Sequence, residues 1–414
     1  MKTLASVLLL GCLLAAPAVA ASRGYVTTPA ELREIARKAG AGKQPYKNAV
    51  HAIVRYASSA SEGGQGAEDP HFWPLGSIGG EQSCPGTFQP RFLADGSPLV
   101  EAKAMAYHLT GNAGYAAEIR KRLLELSTTS GYGGRKWSQC VPNLNWYVAG
   151  WIIAADLIED FPGWSASDKK TFQRWLAAEV YYKSDAASDF RSNNHGSAGS
   201  AAAAMISDYL AGSGIALVDR DGKSSTPPEA FAEAKRHQLD RMNGNAYMRH
   251  EPGCPPEFTM VGIRPDGGIP WELARGSTGC GGKWIEKQDA SWTYQQTHLQ
   301  GTLLHAELLL RRGDKSIYDN VKQDGGGSLR RAVLFVLHNP NDPSKSYPLH
   351  RSHFPMLELA YRYYRDPAMA RELGIGTGHR KIGSRSGQML HFGTITHGFS
   401  PDETPAPPPV TALP

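Results

Sequence analysis

Apolar residues recur along this chain at three- and four-residue intervals, the period of a helix with one buried face, rather than in strand-like alternation. The pattern predicts helices over residues 99–109, 115–126, 146–158, 167–182, 200–211, 298–310 and 354–364. Their stop signals are Thr110-Gly111-Asn112, Pro162-Gly163, Gly212, Gly313 and Asp366-Pro367, and Ser165 or Ser167 is placed to cap the fourth helix. Helix–Gly–helix units without intervening strands imply hairpins packed side by side. A long run of them can curl into an α/α toroid, an incomplete barrel around a central cleft. A flat solenoid is the alternative, but no fixed-period repeat supports it. The Gly-rich stretches 58–66 and 276–282 read as loops.

The first twenty residues fall outside this pattern. Lys2, an apolar run over 4–16 and Ala18-Val19-Ala20 form a secretory signal peptide, with cleavage expected after Ala20. Leu9-Leu10-Gly11-Cys12 is a rival lipoprotein box, outweighed by the small-residue site that follows it. No later segment is apolar for long enough to span a bilayer. The expectation is a secreted or periplasmic protein with one helical domain over 21–400 and a Pro-rich, disordered tail over 401–414. Cys84, Cys140, Cys254 and Cys280 remain after export, an even number that suggests disulfides. Pairing Cys254 with Cys280 and Cys84 with Cys140 is one of three connectivities. No zinc-ligand spacing links these cysteines to histidines, so no metal is expected.

The chain carries a formal charge of +5 and is 41% hydrophobic, enough for a sizeable core. A mild positive bias suits an anionic partner but is not the basic stripe of a nucleic-acid binder.

Two stretches stand out chemically. Arg191-Ser192-Asn193-Asn194-His195-Gly196-Ser197 falls between two predicted helices, where its side chains are free to face a cleft. It reads equally as a helix start, with Asn193 and Asn194 capping and His195 in a structural hydrogen bond. The second runs from Arg264 through the Asp266-Gly267-Gly268 turn to Pro270-Trp271-Glu272-Leu273-Ala274-Arg275-Gly276, and resumes at Ser291-Trp292-Thr293-Tyr294-Gln295-Gln296-Thr297-His298. Its plain reading is a surface turn before an amphipathic helix, with Glu272 and Arg275 as a local ion pair worth about 0–1 kcal/mol. Trp146, Tyr147, Trp271 and Trp292 are candidates for stacking on sugar rings, and Asn143, Asn145, Arg135 and Lys136 for polar contacts, although aromatic residues mostly serve packing. His298 follows Tyr294 by one helical turn and precedes His305 by seven residues, placed either to orient Tyr294 or to sit buried.

Taken in order, these segments resemble the alginate lyase family of α/α-toroid polysaccharide lyases. Asn193-Asn194-His195 matches its Asn-Asn-His motif, Asp266-Gly267-Gly268 its Asp-Gly turn, and Pro270 to Gly276 its Pro-x-Glu-Leu-x-Arg-Gly motif. Tyr294 matches its catalytic tyrosine, and His108-Leu109-Thr110-Gly111-Asn112 and Ala154-Ala155-Asp156-Leu157 are also similar. The resemblance covers residues 99–310. It departs from the family at 276–291, inserted between the Arg and Tyr positions and containing Cys280, which marks a divergent member.

The resemblance implies β-elimination on a 1,4-linked polyuronate, either mannuronate-rich alginate or glucuronan, by a monomer that needs no cofactor. The C5 proton of a uronate is barely acidic while the adjacent carboxylate is charged, so preorganised donors must neutralise that group. Asn194, His195 and Arg275 take this role, Arg275 with a charge-assisted, two-pronged contact. Tyr294 transfers the proton, or His195 is the base and Tyr294 the acid. Asn193, Trp271, Glu272, Asn143, Asn145, Tyr147, Arg135 and His298 complete the expected substrate contacts. Two other classes stay open: a glycoside hydrolase using Asp266 and Glu272 as its carboxylate pair, and a non-catalytic binder of acidic glycans.

Overall fold

The computed structural model describes residues 22–59, 90–130, 140–245, 262–273, 289–337, 354–377, 379–382, 389–400, 402–404 and 407–411. The helices are α1 (Pro29–Gly40), α2 (Tyr46–Ser59), α3 (Pro90–Thr110), α4 (Ala113–Leu126), α5 (Cys140–Leu157) and α6 (Ala166–Trp175). A π-helical segment, Leu176–Tyr181, joins α6 to α7 (Tyr182–Phe190), and α8 (Asn194–Leu210) follows. Leu217–Val218 pairs antiparallel with Ser224–Ser225 before α9 (Pro227–Asn243). The rest comprises α10 (Pro270–Leu273), the long α11 (Asp289–Arg311), α12 (Leu329–Leu337), α13 (Phe354–Tyr364), α14 (Pro367–Glu372) and α15 (Gly393–His397). The mainly helical α/α architecture expected from the periodicity is the one adopted. No described helix is long and apolar enough to cross a membrane.

Local chemistry sets the helix starts. Thr28 and Glu31, Ser165 and Asp168, and Thr226 and Glu229 form reciprocal capping boxes, so Ser165 rather than Ser167 caps α6. Prolines open α1, α9 and α14, where a missing N–H removes no helical bond. Several predicted boundaries fall short. The 167–182 helix continues through the π segment to Phe190, α8 begins at Asn194, and α11 begins at Asp289 and takes in Tyr294. Helix α3 runs through Gly96 and Pro98, because Gly96 lets it close on α5: a Cβ there would lie 2.3 Å from the Trp151 ring. Helices α1, α2, α9 and α12 lie outside the predicted set.

Helix α8 is the hub of the core. Its small residues are buried nearly all round, and it packs against α5, α7, α9 and α11. A Cβ on Gly301 of α11 would sit 2.7 Å from the Ser197 backbone, and Arg312 just past α11 pairs with Asp208 at 2.7 Å. Both pairs are 104 positions apart in sequence. The two helices therefore run parallel, in one fixed register.

Described residues of the Pro-rich tail contact the body. Glu403 pairs with Lys38 at 2.8 Å and Lys43 at 3.1 Å, and the Thr411 N–H donates to the Arg311 carbonyl at 2.9 Å. Prolines reduce the freedom lost on docking such a segment. The signal-peptide residues and the side chains of all four cysteines lie outside the described part of the chain.

Candidate active site

The site grows from the α7–α8 junction. Arg191 leaves α7 in an extended conformation, and Asn193 caps α8 by accepting the His195 N–H at 3.0 Å. This places Asn194 and His195 in the first turn of α8, at the positive end of its dipole. The turn is tight: a Cβ on Gly196 would fall 1.7 Å from the Arg191 carbonyl oxygen. Arg241 of α9 holds it from below, donating to the carbonyls of Arg191 and Ser188, to Ser200 Oγ and to Gln238 Oε1. Burial pushes the Arg241 pKa down to about 9, against the pull of Asp240, Asp189 and Glu272, so it stays cationic at neutral pH.

One wall comes from α5. The Trp146 ring meets His195 edge-on, with centroids 5.5 Å apart. Asn145 is fully buried and accepts a 2.7 Å hydrogen bond from Ser184 Oγ of α7. Asn143 and Tyr147 flank it, also buried. Asn143 Oδ1, Asn145 Nδ2 and Trp146 Nε1 find no hydrogen-bond partner among the described residues.

The opposite wall comes from α10 and α11. The Asp266-Gly267-Gly268 turn forms as expected, with Gly267 at a φ of 99°, Asp266 accepting the Gly268 N–H, and Arg264 paired to the same carboxylate. Gln295 of α11 clamps this turn, accepting the Ile269 N–H at 3.1 Å and donating to the Gly267 carbonyl at 3.1 Å. Helix α10 then buries Trp271 and Glu272, and Glu272 Oε1 meets His298 Nδ1 at 3.1 Å. Burial lowers the His298 pKa and Glu272 works against it.

Continuing the α8–α11 register back from Ser197 and Gly301 puts His298 level with Asn194. Tyr294 lies one turn further toward the start of α11 and is only half-buried. Asn194, His195 and the α5 residues therefore occupy the same region as Tyr294, His298, Glu272 and Trp271. His305 takes no part, because it is sealed in the core and burial pushes its pKa down to about 3. Arg275, Arg135, Lys136 and the Trp292 side chain lie outside the described residues. No group of His, Cys, Asp and Glu among the described residues is arranged to hold a metal ion.

Three contributors escaped the sequence reading. Arg241 continues the buried spacing of Ala230, Ala234 and Gln238, so a cation on an otherwise uncharged helix face was the available signal. Gln295 and Ser184 carry no local signal, since their partners are 26 and 39 residues away. In chemical terms, amide and imidazole groups stand at a helix start, and a phenol lies on the adjacent helix one turn beyond the level of Asn194. Such a set can bind a carboxylate and move a proton beside it.

No protein-family model matches the chain, and no curated protein matches it in sequence. Solved structures do match. An alginate lyase from Bacteroides ovatus superposes with a TM-score of 0.53 at 16% identity, covering 85% of this chain and 94% of that one. Alginate lyase A1-III from Sphingomonas species A1 gives 0.54 at 15%, covering 84% and 92%. A Tyr-to-Phe variant of alginate lyase A1-III, complexed with tetrasaccharide, gives 0.59 at 15%, covering 93% and 98%. At this distance in sequence, what the chain shares with these alginate lyases is their α/α-toroid fold.

Proposed function

We propose that this protein is an exported polysaccharide lyase that cleaves a 1,4-linked polyuronate by β-elimination. The observation that carries the reading is the parallel α8–α11 register, which sets His298 level with Asn194 and Tyr294 one turn beyond it. Asn194 and His195 bind the carboxylate of the sugar whose C5 proton is removed, aided by the partial positive charge of the helix start. Arg275, two residues beyond α10, adds the two-pronged contact. Tyr294, as phenolate, takes the C5 proton. The electron pair forms the C4–C5 double bond, the C4–O bond breaks, and the leaving oxygen is protonated by the same phenol or by His195. Where the C5 proton and the C4 oxygen lie on one face of the sugar, Tyr294 serves both steps.

The buried residues hold this arrangement in place. Glu272 fixes His298, Gln295 fixes the turn before α10, and Arg241 fixes the Asn194 turn. Mannuronate-rich alginate and glucuronan are the proposed substrates. The alginate lyase variants solved with tetrasaccharide, one lacking a tyrosine hydroxyl and one a histidine ring, support the roles given to Tyr294 and His195. The hydrolase alternative loses support from Asp266, engaged by Arg264, and from Glu272, sealed against His298. Neither carboxylate is poised to flank a scissile bond.

The test is near-ultraviolet absorbance of the exported chain mixed separately with poly-mannuronate, poly-guluronate, glucuronan and hyaluronan. Elimination gives a C4–C5 double bond conjugated to the carboxylate, so absorbance rises on poly-mannuronate or glucuronan. New reducing ends without absorbance would replace the lyase by a hydrolase.

A further inference from the structure

Among the described residues, a pocket of about 240 Å³ opens at the far end of α11, between α13 and the docked tail. It is lined by Lys315, Arg362 and Arg365, with Tyr363, Leu359 and the Pro407–Pro408 pair as apolar walls. Leu310 is a lining residue, and sixteen positions along α11 from Tyr294 correspond to about 24 Å. The pocket is therefore separate from the candidate active site.

Its charge is positive. Glu307 also lines it, but that carboxylate is engaged by Arg311 at 2.8 Å and His397 at 3.0 Å. Lys315 and Arg365 form no ion pair among the described residues. The Arg365 guanidinium lies over the Phe399 ring, its Cζ 4.1 Å from the centroid, which fixes its position beside the pocket. Arg362 is oriented by donation to the Thr396 carbonyl at 3.3 Å. The Tyr363 hydroxyl donates to Asp319, so this residue offers its ring to the pocket.

We propose that this pocket is a second, non-catalytic site for the carboxylate of a uronate sugar. Fixed guanidinium groups suit a carboxylate, and proline, leucine and tyrosine walls suit the apolar face of a pyranose. The volume falls just under the ~300 Å³ at which pockets for drug-sized ligands begin, the scale of one sugar unit, and far exceeds the needs of an inorganic anion. A polymer held here while another stretch occupies the cleft raises the local concentration of cleavable bonds. The choice of a uronate rests on the lyase reading; the preference for an anion does not.

The experiment is calorimetric titration of the exported chain with sodium glucuronate, and in parallel with glucose and inorganic phosphate. Glucuronate binding persists in Tyr294→Phe and weakens by about tenfold or more in the double variant Lys315→Met, Arg365→Gln, which removes two charged contacts. The double variant keeps kcat on short uronate oligomers and shows a raised KM on polymer. Binding unchanged in the double variant, or glucose or phosphate binding as tightly as glucuronate, overturns the proposal. Glucuronate binding without elimination would leave the pocket standing and remove the lyase; elimination without pocket binding would do the reverse.

Discussion

His298 Nδ1 and Glu272 Oε1 stand 3.1 Å apart with both side chains shut away from water, joining the helix that carries Tyr294 to the segment that leads to Arg275. Removing the carboxylate leaves a buried ring nitrogen without this partner. Glu272→Ala therefore costs about 1–3 kcal/mol of stability, read by chemical denaturation. The pH dependence has a defined sign. His298 titrates below its ordinary range because burial outweighs Glu272. Its contribution to stability is present above the unfolded-state pKa and is lost as pH falls through the folded value. Without Glu272 the folded value falls further, and Glu272→Gln, which keeps a hydrogen-bonding group, recovers most of the stability but not the His298 pKa.

Tyr294→Phe removes one hydroxyl from a half-buried position. Turnover on the responsive polyuronate falls by at least about 10²-fold, the lower range of a general acid–base contribution, while oligosaccharide affinity changes little. Steady-state kinetics paired with direct binding separates the two quantities, and activity near that of the parent chain would take Tyr294 out of the mechanism.

Gly301→Ala places a methyl group against the Ser197 backbone, 2.7 Å from the nearest atom. Neither backbone can retreat without separating α8 from α11. A stability loss of about 1–3 kcal/mol accompanies the overpacking. The diagnostic result is a loss of kcat in the fraction that remains folded, because the Asn194 and Tyr294 helices move apart.

Glu307 supplies a test in acid. Burial alone would raise its pKa, but the charges of His397 and Arg311 override burial and hold it down at about 2. The stabilisation is complete above the ordinary carboxylate range and disappears as pH falls through about 2. Glu307→Gln loses about 1–3 kcal/mol at neutral pH, since an amide replaces the carboxylate between Arg311 and His397 while Arg311 keeps its pair with Glu31. Its unfolding curve also lacks this part of the acid dependence, which a pH series of melting temperatures would reveal.

The helical class was legible because period and stop signals are local. The Asn193–His195 junction was legible for the same reason, as a break between two helix patterns. Its two readings are compatible: Asn193 is the cap, and capping is what sets Asn194 and His195 at the helix start. The α8–α11 register was not legible. It depends on Gly301 meeting Ser197 and Arg312 meeting Asp208, and nothing near either position announces a partner 104 residues away. The contacts of the tail were not legible either, because Glu403 and the Thr411 amide act through distant partners.

Gly301 and Arg312 both lie downstream of Tyr294 and His298 on α11. Alignment of these two residues with Asn194 is thus metered from behind, as a rail fixed at its far end sets the position of its tip. Residues added or deleted before Asp289 leave the spacing between Asn194 and His298 untouched. The segment 276–291, read from the sequence as an insertion, joins α11 at the end the register does not depend on. Length and composition can change there without moving His298 along Asn194.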